Sequence, residues 1–443
     1  MTGAAVPRRA RHRRETRAIP RRHALLGGTT TGRDVSTAAR YLTARRALVD
    51  GPAIGAFERA FAERVGTRHG VSFAAGRVGL YGILRSLGIG TGDEVLVPVP
   101  THIVVANAVR FAGARPVFVD CDLRAYGIDL DQAAERATPR TRALLVQHTF
   151  GIPVDMAAAG ALAERAGLHL IEDCVHALGA TFRGGQVGTF GRAAFFSTEE
   201  TKTISTTMGG VVTTDDDEVA GSLREFQGQC LPPSADQAAR CLLKLVIYHA
   251  LTEPRVHVLA RAAYDLGGRR HPLPRPTVAA ELRGERPADF ARRLSNGQAA
   301  VGLTQLAGLK ANLAHRRRIA GLYRELLEPS GLGLPQPPEE SVPAYVRYPV
   351  WVEDPAATQR AVAGRAVLGT WFTSVLEEAV DPRCGGYVPG SCPRAEDAAR
   401  HLVNLPTHPR VSDQDAREIA ARVIAAARPG GRGRPAGRSP QAT

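Results

Sequence analysis

The sequence predicts an α/β fold in which a large domain with a mostly parallel sheet precedes a smaller C-terminal α+β domain. Helical and strand-like patterns alternate between about residues 45 and 225, which is typical of βα units. The strand-like segments are apolar, as in sheets that helices cover on both faces. The chain has 443 residues, of which 44% are hydrophobic, so it has enough apolar material for two or three domains.

The large domain shows its elements most clearly in its first two hundred residues. The predicted helices span residues 56–65, 76–87 and, after an N-cap at Asp155, the segment up to 166. The predicted strands span residues 94–99, 115–120, 141–150, 168–173, 193–197 and 210–214. Phe57, Phe61 and Val65 follow helical spacing and are predicted to form the buried face of the first helix.

The second half of the chain is less regular. Residues 228–290 interrupt the alternation with Pro-rich and Arg-rich sequence, and we interpret them as a helical insertion in a large domain at 23–310. A lid over a substrate, or a flap that faces a partner, is the alternative interpretation. A helix resumes at 298–312, and a strand at 345–352 opens the small domain, which we place at 311–427.

The formal charge of +14 comes from 57 Lys+Arg against 43 Asp+Glu, and most of it lies near the two ends. Residues 1–22 hold eight arginines and one acid, and residues 428–443 hold four arginines and no acid. Both segments are predicted to be disordered basic tails, while the region between them is nearly balanced in charge. We expect no specific nucleic-acid binding, because such tails attract polyanions without reading a sequence.

The cysteines and the apolar runs predict the cellular compartment of the protein. None of the six cysteines is spaced C-x-x-C from another, which is typical of free thiols in a reducing compartment. The charge-free run at 95–109 is too short to span a membrane and contains two prolines. The weakly apolar residues after Arg22 do not resemble a secretory signal. The sequence therefore predicts a cytoplasmic protein without a membrane span.

Lysine is rare in this chain, with three lysines against 54 arginines. Both residues supply positive charge, but lysine loses its proton far more readily and can then act as a nucleophile. Lys244 and Lys310 lie in helical patterns, where we expect them at the surface. Lys202 lies in a polar loop between two short strands, where a Schiff-base lysine is expected.

Two further features fit a cofactor at that loop. The strand at 168–173 ends in Asp173, and ligands of parallel α/β sheets bind beyond the carboxyl ends of the strands. A pyridoxal phosphate ring requires an acid beside its pyridine nitrogen, which Asp173 can supply. An aspartate that caps a turn is the alternative. Gly76 and Arg77 open a helix whose N-terminus can accept a phosphate.

Several stretches of sequence together carry a resemblance to a known family. They are residues 88–98 (GIGTGDEVLVP), 107–120 (NAVRFAGARPVFVD), 171–180 (IEDCVHALGA), 196–210 (FSTEETKTISTTMGG) and a C-terminal segment at 392–409. In this order they resemble the DegT/DnrJ/EryC1/StrS family of pyridoxal 5′-phosphate (PLP)-dependent aminotransferases. The resemblance covers most of residues 50–425. It implies a PLP-dependent transferase of fold type I that works as a homodimer, with the active site at the subunit interface.

The resemblance also implies which residues hold the cofactor ring. Lys202 would bind the aldehyde of PLP and would move a proton between the substrate's Cα and the cofactor's C4′. Asp173 would pair with the pyridine nitrogen, and His176 would lie near the phenolic oxygen. His102 stands where relatives place an aromatic side chain that stacks on the ring.

The phosphate site implied by the resemblance is less complete. Ser197 would bind the phosphate, together with the backbone of Gly76 and Arg77. Relatives carry an asparagine that reaches the phosphate of the neighbouring subunit, whereas this chain has Ala291 there. One of the two arginines that follow Ala291 would take over that contact.

The activity implied by the resemblance is transfer of an amino group from glutamate or glutamine to a keto group. The acceptor would be a nucleotide-linked sugar or a cyclitol, in polysaccharide or in secondary-metabolite, including antibiotic, biosynthesis. Two alternatives remain open: another PLP enzyme on this scaffold, such as an aromatising lyase or a dehydratase, or a non-catalytic PLP-binding regulatory protein. A sugar dehydratase that lacks the lysine is disfavoured because Lys202 is present.

Overall fold

The computed structural model describes residues 21–25, 28–258 and 277–427, and the helices and strands below are those of the described residues. The strands are β1 (His69–Phe73), β2 (Glu94–Pro98), β3 (Thr101–His102), β4 (Arg115–Val119), β5 (Thr141–Gln147), β6 (His169–Asp173), β7 (Thr181–Phe182), β8 (Gly185–Gln186), β9 (Ala193–Ser197), β10 (Gly210–Thr214), β11 (Ser341–Val342), β12 (Arg347–Trp351), β13 (Leu376–Glu377) and β14 (Leu402–Pro406).

The α-helices are α1 (Gly32–Thr43), α2 (Ala53–Val65), α3 (Gly76–Ser86), α4 (Ile103–Phe111), α5 (Leu130–Arg136), α6 (Met156–Ala166), α7 (Asp217–Gln229), α8 (Ala235–Leu251), α9 (Ala279–Leu282), α10 (Asn296–Leu327), α11 (Pro355–Val362), α12 (Pro393–His401) and α13 (Asp413–Ala427). Short 3₁₀ turns lie at Arg45–Ala47, Thr149–Gly151, Glu328–Ser330 and Pro382–Gly385.

A seven-stranded sheet in the order β1-β10-β9-β6-β5-β2-β4 forms the centre of the large domain. The strands from β9 to β4 are parallel, whereas β10 runs antiparallel to both β9 and β1. The mostly parallel α/β sheet predicted from the sequence is therefore confirmed. Gln147 is aligned with Asp173 at the ends of β5 and β6, so both side chains reach the same carboxyl edge of the sheet.

The local sequence explains why the covering helices form where they do. Phe57, Phe61 and Val65 are buried on one face of α2, as their spacing predicts. Asp155 caps α6 by accepting hydrogen bonds from the backbone N–H of Ala157 and Ala158, both 3.0 Å long. The helix α3 is buried on nearly all sides because it packs between the sheet and the helices α4 and α7.

The helix predicted at 298–312 is much longer in the structure, where α10 has 32 residues. Its first half packs Leu309 and Leu313 against α2 and the strands of the large domain. Its second half packs Ile319 and Tyr323 against the antiparallel pair β12–β14 and the helix α13 in the small domain. The domain boundary that we placed at 310/311 falls inside this helix, which joins the two hydrophobic cores.

The segment at 228–290 contains the helices α8 and α9, and its residues 259–276 lie outside the described part of the chain. The helix α8 packs Leu242 and Leu245 against α1 and the start of α10. One prediction for this segment is wrong: Lys244 is buried, not exposed, and its ammonium lies 2.7 Å from the carboxylate of Glu200. A helical pattern alone does not reveal such a partner, because the partner comes from a distant loop.

The predicted N-terminal tail also needs a correction at its end. Residues 1–20 lie outside the described residues, but Arg21 and Arg22 contact the folded chain. The guanidinium of Arg21 lies 3.3 Å from the carboxylate of Asp415, and the Arg22 N–H donates to the carbonyl of Pro254. The tail predicted at 428–443 lies outside the described residues as well.

The sequence analysis predicted free thiols and no membrane span, and the structure gives an observation on each. All six cysteines are free thiols. Among the described helices, none is both long enough and apolar enough to cross a membrane.

Candidate active site

One cavity of about 370 Å³ opens at the carboxyl edge of the sheet, between the large and the small domain. Seven residues that the sequence analysis selected for the cofactor line it, namely Gly76, Arg77, His102, Asp173, His176, Ser197 and Lys202, whereas Arg292 and Arg293 do not. The seven residues are up to 126 positions apart in sequence. The sheet brings them together because each lies at or just after the end of a strand, or at the start of a helix that follows one.

Lys202 lies in a closed loop between β9 and β10. The backbone of Thr198 pairs with Gly209 and with Thr206, which holds the base of the loop shut. The side chain of Lys202 is buried, and burial together with the nearby positive charge of Arg347 lowers the pKa of its amine to about 8. A larger fraction of this amine is neutral near neutral pH than of an ordinary lysine, and the neutral amine is the form that attacks a carbonyl.

Asp173 ends β6 and is completely buried. One carboxylate oxygen accepts a 3.1 Å hydrogen bond from the N–H of Val175, while the other oxygen has no hydrogen-bond partner among the described residues. Burial raises the pKa of Asp173 to about 7. A buried acid with an unused oxygen is costly unless a ligand supplies a donor. A protonated pyridine nitrogen is such a donor, so Asp173 fits the ring of PLP.

His176 packs against Trp371 of the small domain. The two rings are stacked 4.5 Å apart with an angle of 20° between their planes. Burial, with the positive charges of Lys202 and Arg347 nearby, holds the pKa of His176 well below its ordinary value. The imidazole is therefore neutral at physiological pH. The amine of Lys202 lies 4.4 Å from the centroid of the same indole ring, so Trp371 forms a wall of the site.

The phosphate end of the cavity is formed by the start of α3. This helix begins at Gly76 after Ala75, which has no side chain that can cap it. A Cβ on Gly210 would lie 2.4 Å from the backbone nitrogen of Gly76, so β10 approaches the helix start more closely than any other residue type permits. Ser197 ends β9 at the same place. Backbone N–H groups at a helix start bind a phosphate, and the glycines leave room for it.

The side chain of Arg77 has a protein partner. Its guanidinium lies 2.5 Å from the carboxylate of Glu281, which is buried on the short helix α9. Glu281 belongs to the inserted segment, and Thr277 of that segment also lines the cavity. The insertion therefore contributes to the wall of the site, and the part of Arg77 that remains suited to a phosphate is its backbone.

His102 is the N-cap residue of α4. Its Nδ1 accepts a hydrogen bond from the N–H of Val104, and its Nε2 lies 3.2 Å from the carboxylate of Glu378. The ring faces the cavity from the end of β3, which pairs with β13 of the small domain. His102 is thus held in the cavity wall by contacts with both domains.

The sequence analysis did not select Arg347 and Trp371, which line the cavity, or Glu281, which contacts the cavity residue Arg77. Arg347 opens β12, and among 54 arginines nothing in the sequence distinguishes it. Trp371 is one of only two tryptophans, and this rarity is a signal that we did not use. Glu281 gains its role through Arg77, which is 204 positions away in sequence.

A second group of potential ligating residues lies outside this cavity. His148, Glu172 and Cys174 are buried within 4.8 Å of one another. The carboxylate of Glu172 accepts hydrogen bonds from the backbone N–H groups of Gly188, Phe190 and Gly191 and lies 3.2 Å from His148. Both oxygens of this carboxylate have protein partners, so the group of three residues stabilises the turn after β8.

The cavity at this edge of the sheet fits PLP. Lys202 offers a buried amine for the aldehyde, Asp173 offers a carboxylate oxygen without a hydrogen-bond partner for the pyridine nitrogen, and the uncapped start of α3 offers N–H groups for the phosphate. The fold and the site therefore define a PLP-dependent transferase of fold type I. The model of the DegT/DnrJ/EryC1/StrS aminotransferase family matches residues 30–424, and the chain belongs to this family. PLP is the cofactor of these aminotransferases.

Named relatives and solved structures agree with this assignment. The chain is 34% identical over 281 residues to the GDP-perosamine synthase of Caulobacter vibrioides, a match that spans 63% of each chain. It is 30% identical over 366 residues to a UDP-N-acetyl-3-dehydro-alpha-D-glucosamine 3-aminotransferase of Acidithiobacillus ferrooxidans, over 82% of this chain and 86% of the relative. The crystal structure of S. venezuelae DesV superimposes with a TM-score of 0.70 at 29% identity, over 90% of this chain and 95% of DesV.

Proposed function

We propose that this protein transfers an amino group from glutamate or glutamine, by way of PLP, to the keto group of a nucleotide-linked sugar. The observation that carries the proposal is that one cavity is lined both by buried Lys202 and by Asp173, whose second carboxylate oxygen has no hydrogen-bond partner among the described residues. The names of the two relatives, a GDP-sugar synthase and a UDP-sugar aminotransferase, support a nucleotide-linked acceptor.

The bound cofactor would withdraw electrons from the substrate carbon that carries the amino group. Asp173 would keep a proton on the pyridine nitrogen, because this carboxylate has no other strong donor among the described residues. The backbone at Gly76 and the hydroxyl of Ser197 would hold the phosphate, and His176 and His102 would position the ring. These roles follow from where each side chain lies on the cavity wall.

Lys202 would perform the proton transfer. A pKa of about 8 allows its amine both to accept and to release a proton near neutral pH, which is what a general acid–base catalyst requires. Trp371, which stacks on His176, covers one side of the amine and would exclude water from it. Exclusion of water protects the substrate carbon from protonation by solvent.

We further propose that the enzyme is a cytoplasmic homodimer that serves polysaccharide or secondary-metabolite biosynthesis, including antibiotic biosynthesis. The family resemblance supports the dimer. Exposed Leu243 and Leu251 on α8 support it as well, because an interface would cover their apolar side chains. We propose the predicted domains as well: a large domain at 23–310 and a small domain at 311–427, joined through α10.

The absorption spectrum of the PLP-loaded protein tests the proposed activity. We expect a visible band from lysine-bound cofactor that disappears on addition of L-glutamate, with one 2-oxoglutarate formed per site. Lys202→Ala should lack this band and form no 2-oxoglutarate. Lys310→Ala is the matched control, because Lys310 is exposed on α10 and should leave both results unchanged. A wild-type band that ignores glutamate, glutamine and every other amino acid would instead indicate a lyase or a regulatory protein.

A further inference from the structure

A second cavity, of about 280 Å³, lies beside the cofactor cavity. The two cavities share the wall residues Ala74, Ala75, Arg77 and Met208, so the second one adjoins the start of α3. Most of its other wall residues belong to the segment at 228–290, on α8, on α9 and in the residues that follow α9. Its volume is near the lower end of the range for small-molecule sites. The amino transfer described above gives this cavity no role.

The wall of the second cavity carries a net positive charge. Its charged residues are Arg77, Arg240, Arg292, Arg293, Glu281 and Asp289, so four arginines against two acids leave +2. Each acid is neutralised by an arginine of the same wall. Glu281 lies 2.5 Å from Arg77. Asp289 lies 2.9 Å from Arg292. The charge that remains therefore belongs to Arg240 and Arg293.

Arg293 lacks the partners that its neighbour Arg292 has. The guanidinium of Arg292 donates hydrogen bonds to Asp289, to Gln237 and to the carbonyl of Pro232. The Nε of Arg293, in contrast, is buried and has no hydrogen-bond partner among the described residues. A buried charged donor without an acceptor is destabilising, and a ligand that supplies the acceptor removes this cost.

The backbone fixes the position of Arg293. Its N–H donates a 2.9 Å hydrogen bond to the carbonyl of Leu231. The carbonyl of Arg292 accepts a 2.9 Å hydrogen bond from the N–H of Ala74, two residues before α3 begins. The side chain of Arg293 therefore extends from a point held between the cofactor helix and the inserted segment. A ligand that binds a group held in this way pays little to order it.

The remaining wall of the second cavity is mostly apolar. Val78, Ala238 and Phe290 are buried and line it. Phe290 is held by T-shaped contacts with the rings of Tyr81 and Phe111. The cavity thus places an apolar wall beside two arginines that no acid of this wall neutralises.

We propose that the second cavity binds a nucleoside phosphate, with its phosphate on Arg293 and Arg240 and its base and ribose against the apolar wall. The N–H groups of a guanidinium match the oxygens of a phosphate. A phosphate group carries about two negative charges, as the wall requires, whereas a carboxylate carries one. The base supplies a flat, weakly polar ring for the apolar wall.

This chemistry has two sources. One is the nucleotide of a nucleotide-linked acceptor, and this source rests on the proposed function. Its sugar would reach the cofactor cavity past Arg77 and Met208, which both cavities share. The other source is a free nucleotide that acts as an effector. The binding site is the same for both, and the experiment below separates them.

Calorimetric titration of the PLP-loaded protein tests the site with probes that carry one feature each. GDP and UDP carry both base and phosphates, guanosine and uridine lack the phosphates, and pyrophosphate lacks the base. Dissociation constants are compared for the wild type, Arg293→Gln and Arg293→Lys. Arg255→Gln is the matched control, because Arg255 is an exposed arginine of the same segment and lines neither cavity.

We expect Arg293→Gln to weaken the binding of GDP and UDP about 10- to 100-fold, as the loss of a charge-assisted hydrogen bond implies. Arg293→Lys should recover part of the loss, since it keeps the charge but not the planar set of donors. Guanosine, uridine and pyrophosphate should all bind more weakly than GDP and UDP. Without nucleotide, Arg293→Gln should unfold at the same temperature as the wild type or at a higher one, whereas the loss of a structural arginine would lower it.

UDP-glucose and GDP-mannose separate the two sources, because they add a sugar without a keto group. If the site serves the acceptor, their sugars enter the cofactor cavity and raise the apparent KM for L-glutamate, while UDP and GDP leave it unchanged. Arg293→Gln should then weaken this inhibition by the same factor as GDP binding. If the site serves an effector, none of the four nucleotides competes with L-glutamate.

Three results would overturn the assignment of the second cavity. They are unchanged affinity for GDP and UDP in both Arg293 variants, guanosine that binds as tightly as GDP, and a loss confined to PLP, which would make Arg293 a ligand of the cofactor phosphate. A wild type that reacts with no amino acid would refute the proposed function, yet the titrations would still decide the nucleotide site. Circular dichroism checks that Arg293→Gln folds, and Arg293→Lys keeps the test valid if it does not.

Discussion

Replacing Lys244 by methionine removes one partner of the buried ion pair that joins the inserted helix α8 to the loop that carries Lys202. Lys244 is 3% exposed and Glu200 is 7% exposed, and their charged atoms lie 2.7 Å apart. Pairs that water reaches contribute little, but removing one partner of a pair buried this deeply costs about 3–5 kcal/mol. We expect Lys244→Met to lose stability in this range, because the carboxylate of Glu200 stays behind without its counter-charge.

The size of this loss should depend on pH. Burial, and the neighbouring charge of Glu199, already raise the pKa of Glu200 to about 7 in the presence of Lys244. A carboxyl whose pKa is raised on folding reduces stability as the pH rises, until the pH passes the folded pKa. In the wild type this reduction ends near pH 7. In Lys244→Met the pKa is higher still, so stability continues to fall above pH 7 by up to about 1.4 kcal/mol per pH unit.

Urea unfolding at pH 6.5 and at pH 8.5 measures this prediction. The difference in unfolding free energy between the wild type and Lys244→Met should widen at the higher pH. The double variant Lys244→Met/Glu200→Gln should recover most of the loss and remove the pH dependence of its difference from the wild type above pH 7, since it leaves no buried charge at this pair. Lys310→Met on α10 serves as the exposed control. Equal losses at both pH values, or a double variant that is no better than the single one, would refute this reasoning.

Four further predictions concern the cofactor site. Asp173→Asn should reduce the rate of transamination about 10²- to 10³-fold, because it removes one positioned charge from the active site. Stopped-flow measurement of the reaction with glutamate tests this rate. Without cofactor the same variant should be more stable than the wild type at pH 8, because burial raises the pKa of Asp173 to about 7 and the ionised acid is destabilising above that pH. The rate at which the apoprotein binds PLP covalently should rise with pH through about 8, where Lys202 loses its proton, and not through the value of about 10.4 for an ordinary lysine. Gly210→Ala should weaken PLP binding about tenfold or more in an equilibrium titration, because its Cβ would lie 2.4 Å from the nitrogen of Gly76; Gly221→Ala, with open space around its Cβ, is the control.

Each of these predictions has a clear contrary result. Full activity in Asp173→Asn would show that the carboxylate does not support the ring, and a lower stability at pH 8 would show that it is satisfied in the apoprotein. A loading rate that rises only near pH 10 would place Lys202 in a solvent-like environment. Unchanged PLP affinity in Gly210→Ala would separate the start of α3 from the phosphate site.

The parts of the fold that the sequence predicted well are those encoded by local patterns. Phe57 and Phe61 follow helical spacing and lie in the core, and Asp155 is a helix cap in both the prediction and the structure. The strands β2, β4, β5 and β6 run parallel, and each connection between consecutive ones contains a helix. Lys202 could be selected because lysine is rare in this chain and this one lies in a polar loop between two strands. Asp173 could be selected because it ends a strand, which places it at the ligand-binding edge of the sheet.

What the sequence did not reveal depends on contacts between distant segments. The burial of Lys244 depends on Glu200, and the partner of Arg77 is Glu281 on a short helix of the insertion. The position of Arg347 depends on how β12 of the small domain faces the large one. No local pattern encodes such pairings, because a charged residue on a helix or strand has the same appearance in sequence whether its partner is water or a buried acid.

Chemical labelling of the lysines tests the central claim most directly. The protein is loaded with PLP, reduced with borohydride before or after treatment with L-glutamate, and digested for mass spectrometry. With three lysines in the chain, the labelled position can be identified without ambiguity. We predict a label on the peptide that contains Lys202 and its absence after glutamate treatment, since the cofactor then carries the donor's amino group and is no longer bound to the lysine. A label on Lys244 or Lys310, or one on Lys202 that persists after glutamate treatment, would contradict the account.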